Sequence, residues 1–179
     1  MKTLVIVVHP NLEQSKVNKT WAERLKQEEG MTLHHLYAQY PDFKINVEKE
    51  QQLLVEHDRI VFQFPFYWYS SPALLKQWLD DVLSYGFAYG SASSKLQGKE
   101  LLLAISTGGP AEAYESSGRN GYTMEELLRP FQATANLCGM SFLSPFLLQG
   151  VLGMEEAKIQ ESAEAFVSYL KSQKLQTAK

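Results

Sequence analysis

A polar loop follows the first apolar segment of the chain. Residues 4–8 are apolar and mostly β-branched, and residues 9–18 then read HPNLEQSKVN. Ser15 precedes an apolar stripe with helical spacing, which predicts a helix that begins near this serine. The free N–H groups of a helix N-terminus bind anions, and Ser15, Lys16 and Asn18 could add polar contacts. We therefore expect a phosphate group here, with a purely capping role for Ser15 as the alternative.

An aromatic loop follows a later apolar run. Residues 64–72 read FPFYWYSSP, with four consecutive aromatic side chains at positions 66–69. A loop lies at the protein surface, and exposed aromatic rings lower solubility unless they stack on something. A planar ring ligand would account for them, and so would an oligomer interface, which is also rich in Trp and Tyr.

A glycine pair marks a third loop. Residues 106–110 read STGGP, and Tyr114 follows shortly after. Because glycine has no Cβ, the backbone N–H groups of Gly108 and Gly109 could approach a ligand closely. Taken alone, the segment is also compatible with a plain turn.

Motifs for several other chemistries are absent. The chain has no GxxxxGK[ST] and no GxGxxG after its first apolar segment, so a phosphate would be bound without glycines. It also has no HExxH, Cys/His cluster or GxSxG, which argues against a zinc site and against a serine nucleophile of that type. Of the four histidines, only His9 falls at a predicted strand end beside the three loops.

Composition narrows the function classes further. A formal net charge of -3 gives no support for nucleic acid as the main ligand. The single cysteine, Cys138, excludes an intrachain disulfide and is expected to be a small buried residue. No apolar run has the length of a signal-peptide core or a membrane span, which predicts a cytoplasmic protein.

Short apolar runs alternate with helical patterns along the chain. This alternation predicts one α/β domain over residues 1–179, with a doubly wound parallel five-stranded sheet of order 2-1-3-4-5 between two helical layers. The predicted strands are residues 4–8, 32–37, 58–64, 100–106 and 141–148. Five helices are predicted. The first begins near Ser15, the second covers residues 47–55, and the third begins at Ser71 and Pro72. The fourth covers residues 124–137 with a kink or a restart at Pro130, and the fifth covers residues 155–170. Residues 172–179 form a polar tail that is expected to fray.

Six segments together carry a family resemblance. They are His9-Pro10 with Ser15 and Asn18, Tyr40-Pro41-Asp42-Phe43, Trp68-Tyr69-Ser70, Phe87-Ala88-Tyr89-Gly90, Thr107-Gly108-Gly109 and Gln132-Ala133-Thr134. With these segments the sequence resembles the flavodoxin-fold NAD(P)H:quinone oxidoreductases of the DT-diaphorase type. It is most similar to the small bacterial members that are ancillary subunits of glutathione-regulated potassium-efflux systems. The resemblance implies a flavodoxin-like three-layer fold.

The resemblance also assigns residues to a flavin site. The phosphate and ribityl chain would be held by His9, Ser15, Lys16, Val17 and Asn18. Pro65 belongs to the same cofactor site, and the isoalloxazine would be lined by Phe66, Tyr67, Trp68 and Tyr69. The pyrimidine edge would be bonded by Ser106, Thr107, Gly108 and Gly109.

Two further positions are implied to be catalytic. Tyr114 matches the catalytic tyrosine beside the flavin, and Asn120 stands where larger members have a histidine. Asparagine can donate a hydrogen bond but cannot take up a proton near neutral pH, so a proton relay of the histidine type is not expected at this position.

The implied activity is hydride transfer from NAD(P)H through flavin to a quinone-like acceptor by a ping-pong mechanism. The short chain favours FMN over FAD, and NADH and NADPH remain alternatives. The resemblance further implies a homodimer with the site at its interface, and a membrane potassium-efflux transporter as a partner would place the protein at the inner face of the membrane. Three other interpretations stay open: a flavodoxin-like electron carrier, a redox-sensing transporter subunit, and a nucleotide-binding protein without redox chemistry.

Overall fold

A computed structural model describes residues 1–90 and 94–173 of the chain. Its sheet contains β1 (Thr3–Val7), β2 (Met31–His35), β3 (Arg59–Pro65), β4 (Glu100–Thr107), β5 (Ser141–Phe142) and β6 (Phe146–Gln149). All strand pairs are parallel, and the order is β2-β1-β3-β4-β5, with β6 also paired to β4. The predicted strand order is therefore confirmed.

Helices cover both faces of this sheet. They are α1 (Lys16–Leu25), α2 (Leu36–Gln39), α3 (Val47–Glu56), α4 (Ala73–Val82), α5 (Met124–Leu127), α6 (Arg129–Leu137) and α7 (Glu156–Ser172). One apolar cluster packs α3, α4 and α6 on the sheet, around the fully buried Trp78. A second cluster packs α1 and α7 on the opposite face, around the fully buried Trp21. Buried Cys138 belongs to the first cluster, as expected, and burial raises the pKa of its thiol.

The second strand is shorter than the sequence predicts. Residues 36 and 37 belong to α2 and not to β2. The pairing of β1 with β2 ends at Val7 and His35, so the chain has no neighbouring strand left to bond beyond that point. It turns there, buries Leu36, and bonds the Tyr40 N–H to the Leu36 carbonyl.

The fifth strand is interrupted, whereas the sequence predicts one continuous strand. Phe142 pairs with Leu101 and Phe146 pairs with Ala104, so the fifth-strand segment has one more residue than β4 between these pairs. Pro145 lies in the break and has no N–H to donate to the ladder. The extra residue is accommodated as a bulge-like irregularity between β5 and β6.

Helix α4 begins one residue later than the prediction. Pro72 occupies the N-cap position, Ser71 does not cap the helix, and Ala73 is the first helical residue. The Leu74 N–H donates instead to the Tyr37 hydroxyl at 3.3 Å, which supplies the acceptor that a cap would have provided.

The interruption expected at Pro130 is a restart and not a kink, because α5 and α6 are separated at Leu128. Most of the predicted frayed tail, residues 174–179, lies outside the described residues.

Glu50 anchors α3 to its neighbours from a fully buried position. Its carboxylate accepts hydrogen bonds from the Tyr40 hydroxyl at 2.6 Å and from Trp78 Nε1 at 2.8 Å, and His34 Nε2 lies 3.0 Å from it. Burial by itself disfavours the charged form, but these bonds and the charge of His34 outweigh it, so the pKa of Glu50 is lowered. The network fixes α3 against α4, the helix that follows the aromatic loop.

We predict that Glu50→Gln destabilises the protein at pH 7 by about 1–3 kcal/mol, because the amide NH₂ cannot accept from the buried donors. A lowered folded-state pKa gives stability that is present above the ordinary value of 4.5 and is lost as the pH falls below it. The difference between the two proteins in urea unfolding should therefore shrink below that pH. Exposed Glu48 on the same helix is the control, and Glu48→Gln should stay within about 0.5 kcal/mol of the parent. Equal effects of the two substitutions would contradict the argument.

Candidate functional site

The three loops singled out in the sequence lie side by side at the carboxyl end of the sheet. They follow β1, β3 and β4, which are adjacent strands. Ser106 joins all three loops, because its carbonyl accepts from the Phe66 N–H at 2.8 Å and its Oγ accepts from Asn18 Nδ2 at 3.0 Å. The expectation that the loops come together is thereby met.

The first loop leads into α1 through a built helix cap. Ser15 is the N-cap, and its Oγ accepts from the Asn18 N–H at 3.1 Å. The N–H groups of Lys16 and Val17 lie in the first turn, where a helix supplies no internal acceptor. The Lys16 side chain is exposed, whereas Val17 and Asn18 are buried. The loop therefore offers backbone donors and one exposed cation, and the Asn18 side chain makes its hydrogen bond inside the protein.

His9 is fixed beside this cap. Its Nδ1 accepts from the Asn11 N–H at 3.1 Å, and its ring meets the Tyr67 ring edge-on at a centroid distance of 6.5 Å. Burial is the largest influence on the pKa of His9 and lowers it. The ring is therefore neutral at pH 7, and with Nδ1 engaged as an acceptor its proton resides on Nε2, which becomes a donor.

The second loop contains a tight turn of two aromatic residues. Trp68 and Tyr69 have φ of 49° and 60°, and the Ser70 N–H donates to the Tyr67 carbonyl at 3.0 Å. Positive φ at both central positions normally selects glycine or asparagine, and a bulky residue there costs about 1–2 kcal/mol. Trp68 is also 93% exposed. The turn thus holds an indole in water in a strained backbone conformation, which is a mark of functional loops.

The third loop packs tightly against the segment that follows it. Thr107 Oγ1 donates to the Gly109 carbonyl at 2.7 Å, and the same carbonyl accepts from the Gly150 N–H at 2.8 Å. A Cβ on Gly109 would lie 3.4 Å from the Tyr114 hydroxyl, and one on Gly108 would lie 3.3 Å from the Leu152 side chain. Both glycines thus give the site space and not an unusual backbone angle.

The two residues expected to be catalytic lie on this same surface. Tyr114 packs against Phe66, with ring centroids 6.1 Å apart. Asn120 Oδ1 accepts from the Tyr69 hydroxyl at 3.3 Å, and the Asn120 N–H donates to the Ala113 carbonyl at 3.1 Å. Asn120 therefore links the third loop to the strained turn of the second loop.

Some candidate residues lie below the surface that a ligand could reach. Pro65 is the last residue of β3, is buried, and pairs with Ser106 in the ladder. Thr107 is fully buried, and Ser106 is nearly so. These residues shape the loops from beneath, together with Asn18.

Two grooves border the loops. One, of about 410 Å³, is lined by residues 9–13 with His35 and Tyr37. The other, of about 440 Å³, lies between Pro10, Tyr37 and the aromatic loop. A third cavity, of about 450 Å³ near α5, contains none of the candidate residues, so size alone does not identify the site.

Tyr37, Leu152 and Arg119 also lie at the site, although the sequence did not indicate them as site residues. Tyr37 was placed in a strand, although it lines both grooves. Leu152 contacts Gly108 from a loop whose only signal is a glycine on either side. Arg119 was overlooked, although it directly precedes Asn120.

A family model described as a flavodoxin-like fold, Flavodoxin_2, matches residues 1–170. The chain belongs to this family. This flavodoxin-like chain is 61% identical over 173 residues to the uncharacterised NAD(P)H oxidoreductase YrkL of Bacillus subtilis. The match covers 97% of this chain and 99% of YrkL. It is 44% identical over 171 residues to KefG of Pectobacterium carotovorum, an ancillary protein of a glutathione-regulated potassium-efflux system, covering 96% and 93%.

Solved structures of family members superpose closely on this chain. General stress protein 14 of Treponema denticola, in complex with FMN, gives a TM-score of 0.91 at 42% identity and covers 96% of this chain and 99% of its own. An NADPH-quinone reductase from P. pentosaceus gives 0.88 at 37% identity, covering 97% and 100%. Within the described part of this flavodoxin-like chain, no helix combines the length and apolarity required to traverse a bilayer.

We predict that Ser106→Ala lowers the free energy of unfolding by about 1–3 kcal/mol, because it leaves the buried Asn18 amide without its hydroxyl partner. Urea unfolding followed by circular dichroism would measure the loss. Ser172→Ala is the matched control, since Ser172 makes one exposed hydrogen bond to the Tyr169 carbonyl. A loss no larger than that of the control would show that the Asn18 link does not hold the loops together.

Proposed function

We propose that this protein binds FMN across the three loops and transfers hydride from NAD(P)H to a quinone-like acceptor. One observation carries the proposal: Ser106 ties an anion-binding helix N-terminus and an exposed aromatic turn into one continuous surface. FMN has a phosphate at one end and a planar ring system at the other, so it suits both ends of that surface. The FMN complex of the relative at 42% identity supports FMN over FAD.

The donor set at the first loop fits a phosphate and a ribityl chain. The Lys16 and Val17 N–H groups, the Ser15 hydroxyl and neutral His9 Nε2 are all hydrogen-bond donors. Helix N-termini bind phosphates through such groups without a glycine motif. Lys16 adds an exposed positive charge, and buried Asn18 holds the loop against β4.

The other two loops fit the ring system. Phe66, Tyr67, Trp68 and Tyr69 provide apolar surface for stacking, and Gly108 and Gly109 leave room for a polar ring edge to approach the backbone. Bound FMN would supply reversible acceptance of a hydride. The chain's own part is to donate hydrogen bonds from Gly108, Gly109 and the Tyr114 hydroxyl to that edge, where negative charge develops. Pro65 and Thr107 hold these groups from beneath.

NAD(P)H and the acceptor would use the same exposed face in turn. The open side of this face is the aromatic turn, where a flat nicotinamide or quinone can stack. The relative named NADPH-quinone reductase supports a quinone, and the relative named NAD(P)H oxidoreductase supports the donor. If the oxidised nicotinamide must leave this face before the acceptor can bind to it, the kinetics should be ping-pong.

Spectra and initial rates test the proposal. The purified protein should be yellow, should release FMN on denaturation, and should give parallel double-reciprocal lines when NADPH and a quinone are varied. Lines that intersect would exclude the ping-pong mechanism. A colourless protein that takes up neither FMN nor FAD would overturn the whole proposal.

We predict that Tyr114→Phe lowers kcat about 10- to 100-fold, because one hydroxyl donor to the developing charge is lost. The FMN content should stay unchanged, since Tyr114 is assigned to the ring edge and not to the phosphate. Tyr85→Phe is the control for loss of a tyrosine hydroxyl, because Tyr85 is an exposed tyrosine that contacts Tyr89 instead of the loops. Unchanged turnover in Tyr114→Phe would remove this residue from the catalytic set.

A second candidate function is that of an ancillary subunit for a potassium-efflux transporter, favoured by the 44% identity to KefG. In that role the protein would be cytoplasmic, would bind at the inner face of the membrane, and would use its flavin for redox sensing. The exposed Trp68 would suit either that contact or a homodimer interface. Retention of native, tagged protein on membranes that contain the transporter, and its absence from membranes without it, would support this role. Equal recovery from both membranes would reject it.

A further inference from the structure

Arg119 lies on the rim of the proposed site and has no hydrogen-bond or ion-pair partner among residues 1–90 and 94–173. Its Nη2 lies 3.6 Å from the point that a Cβ on Gly109 would occupy, and the Tyr114 hydroxyl lies 3.4 Å from the same point. The side chain is exposed, and within residues 1–90 and 94–173 no carboxylate lies at ion-pair distance from it. A guanidinium left free beside a ligand surface is available to bind an anion.

The backbone around Arg119 is fixed by its neighbours and not by the arginine. A Cβ on Gly118 would lie 2.2 Å from the Glu112 carbonyl, so only glycine allows this close turn. The Gly118 N–H donates to the Glu115 carbonyl, and the Asn120 side chain is bonded to Tyr69. Arg119 therefore starts from a defined position, and only its side chain is free to meet a ligand.

The permanent charges of the proposed ligands narrow the choice of anion. The FMN phosphate is assigned to the N-terminus of α1, after β1, which lies two strands, or about 10 Å, from β4. A quinone carries no permanent charge. The remaining permanent anions are the phosphates of the nicotinamide donor, which would enter over the third loop.

We propose that Arg119 binds a phosphate group of NAD(P)H and so sets the affinity for the hydride donor. This inference rests on the proposed function and adds an anion subsite to it. Guanidinium binds phosphate through two parallel hydrogen bonds, which a lysine cannot reproduce. The phosphate is either the 2′-phosphate, which only NADPH has, or the pyrophosphate common to both dinucleotides.

Equilibrium titration of the FMN-loaded protein with NADP⁺ and with NAD⁺ tests the inference. Arg119→Gln should raise the Kd for NADP⁺ about tenfold, the low end for a charged hydrogen bond because the site is exposed. An increase confined to NADP⁺ identifies the 2′-phosphate, and an increase for both nucleotides identifies the pyrophosphate. The Kd of Arg119→Lys for NADP⁺ should lie between that of Arg119→Gln and that of the parent.

Lys2→Gln is the matched control for loss of one positive charge. Lys2 is exposed and lies at the amino end of the sheet, where its carbonyl accepts from the Arg59 N–H. The Kd values of Lys2→Gln for NADP⁺ and NAD⁺ should equal those of the parent. Kd values for both nucleotides within twofold of the parent in Arg119→Gln, or an equal weakening in Lys2→Gln, would overturn the inference.

Two further measurements, of FMN affinity and of quinone reduction, distinguish failure of this inference from failure of the proposed function. Flavin fluorescence should show equal FMN affinity in Arg119→Gln and the parent, since the FMN phosphate is bound elsewhere. A parent protein that binds NADP⁺ through Arg119 but reduces no quinone would remove the proposed activity and support the subsite. A parent that reduces quinones while Arg119→Gln keeps its nucleotide affinity would remove the subsite alone.

Discussion

The hydrogen bonds that converge on Ser106 are the constraint on which the candidate site depends. Its carbonyl extends the ladder between β3 and β4 to Phe66, the residue that follows β3, and its hydroxyl accepts from the Asn18 side chain on α1. Because Asn18 is buried and the parallel register is fixed, the distance between the helix N-terminus and the aromatic turn is set by the core. A ligand that spans these two ends therefore meets a surface that is organised before it binds.

The conformation of the aromatic turn is energetically unfavourable by itself, unlike the hydrogen bonds around Ser106. Trp68 combines a positive φ with almost complete exposure, and each of these features is unfavourable for a large apolar residue. The contact of Tyr69 with Asn120, the ring contact of Tyr67 with His9 and the backbone bond within the turn hold it in place. A fold that needed only a connection between β3 and α4 would gain nothing from this arrangement. The strain is understandable if the indole is displayed for a ring ligand or a second protein surface.

Local sequence patterns were sufficient for the architecture and insufficient wherever a distant residue intervened. Apolar runs that alternate with helical stripes predicted a parallel sheet, and five such strands suit the doubly wound order 2-1-3-4-5, which the structure has. The start of α4 was misplaced because Tyr37, over thirty residues away, supplies the acceptor for the Leu74 N–H. The break near Pro145 was missed because it depends on the register against β4.

The same limit applies to the candidate site. The three loops could be identified from the sequence because each follows a strand and has an unusual composition. Their division into surface and supporting residues could not be predicted, since the burial of Pro65 and Thr107 and the exposure of Arg119 arise only from packing.

The burial and exposure of these side chains also determine which charges a ligand meets at each end of the site. Burial lowers the pKa of His9, so the fixed side-chain donors at the first loop are uncharged, and the binding of an anion there relies on N–H dipoles, with exposed Lys16 as the nearby charge. Arg119 places a permanent charge beside Gly109, and in the proposed role its exposed ion pair with a ligand phosphate would be weak enough for the ligand to leave again.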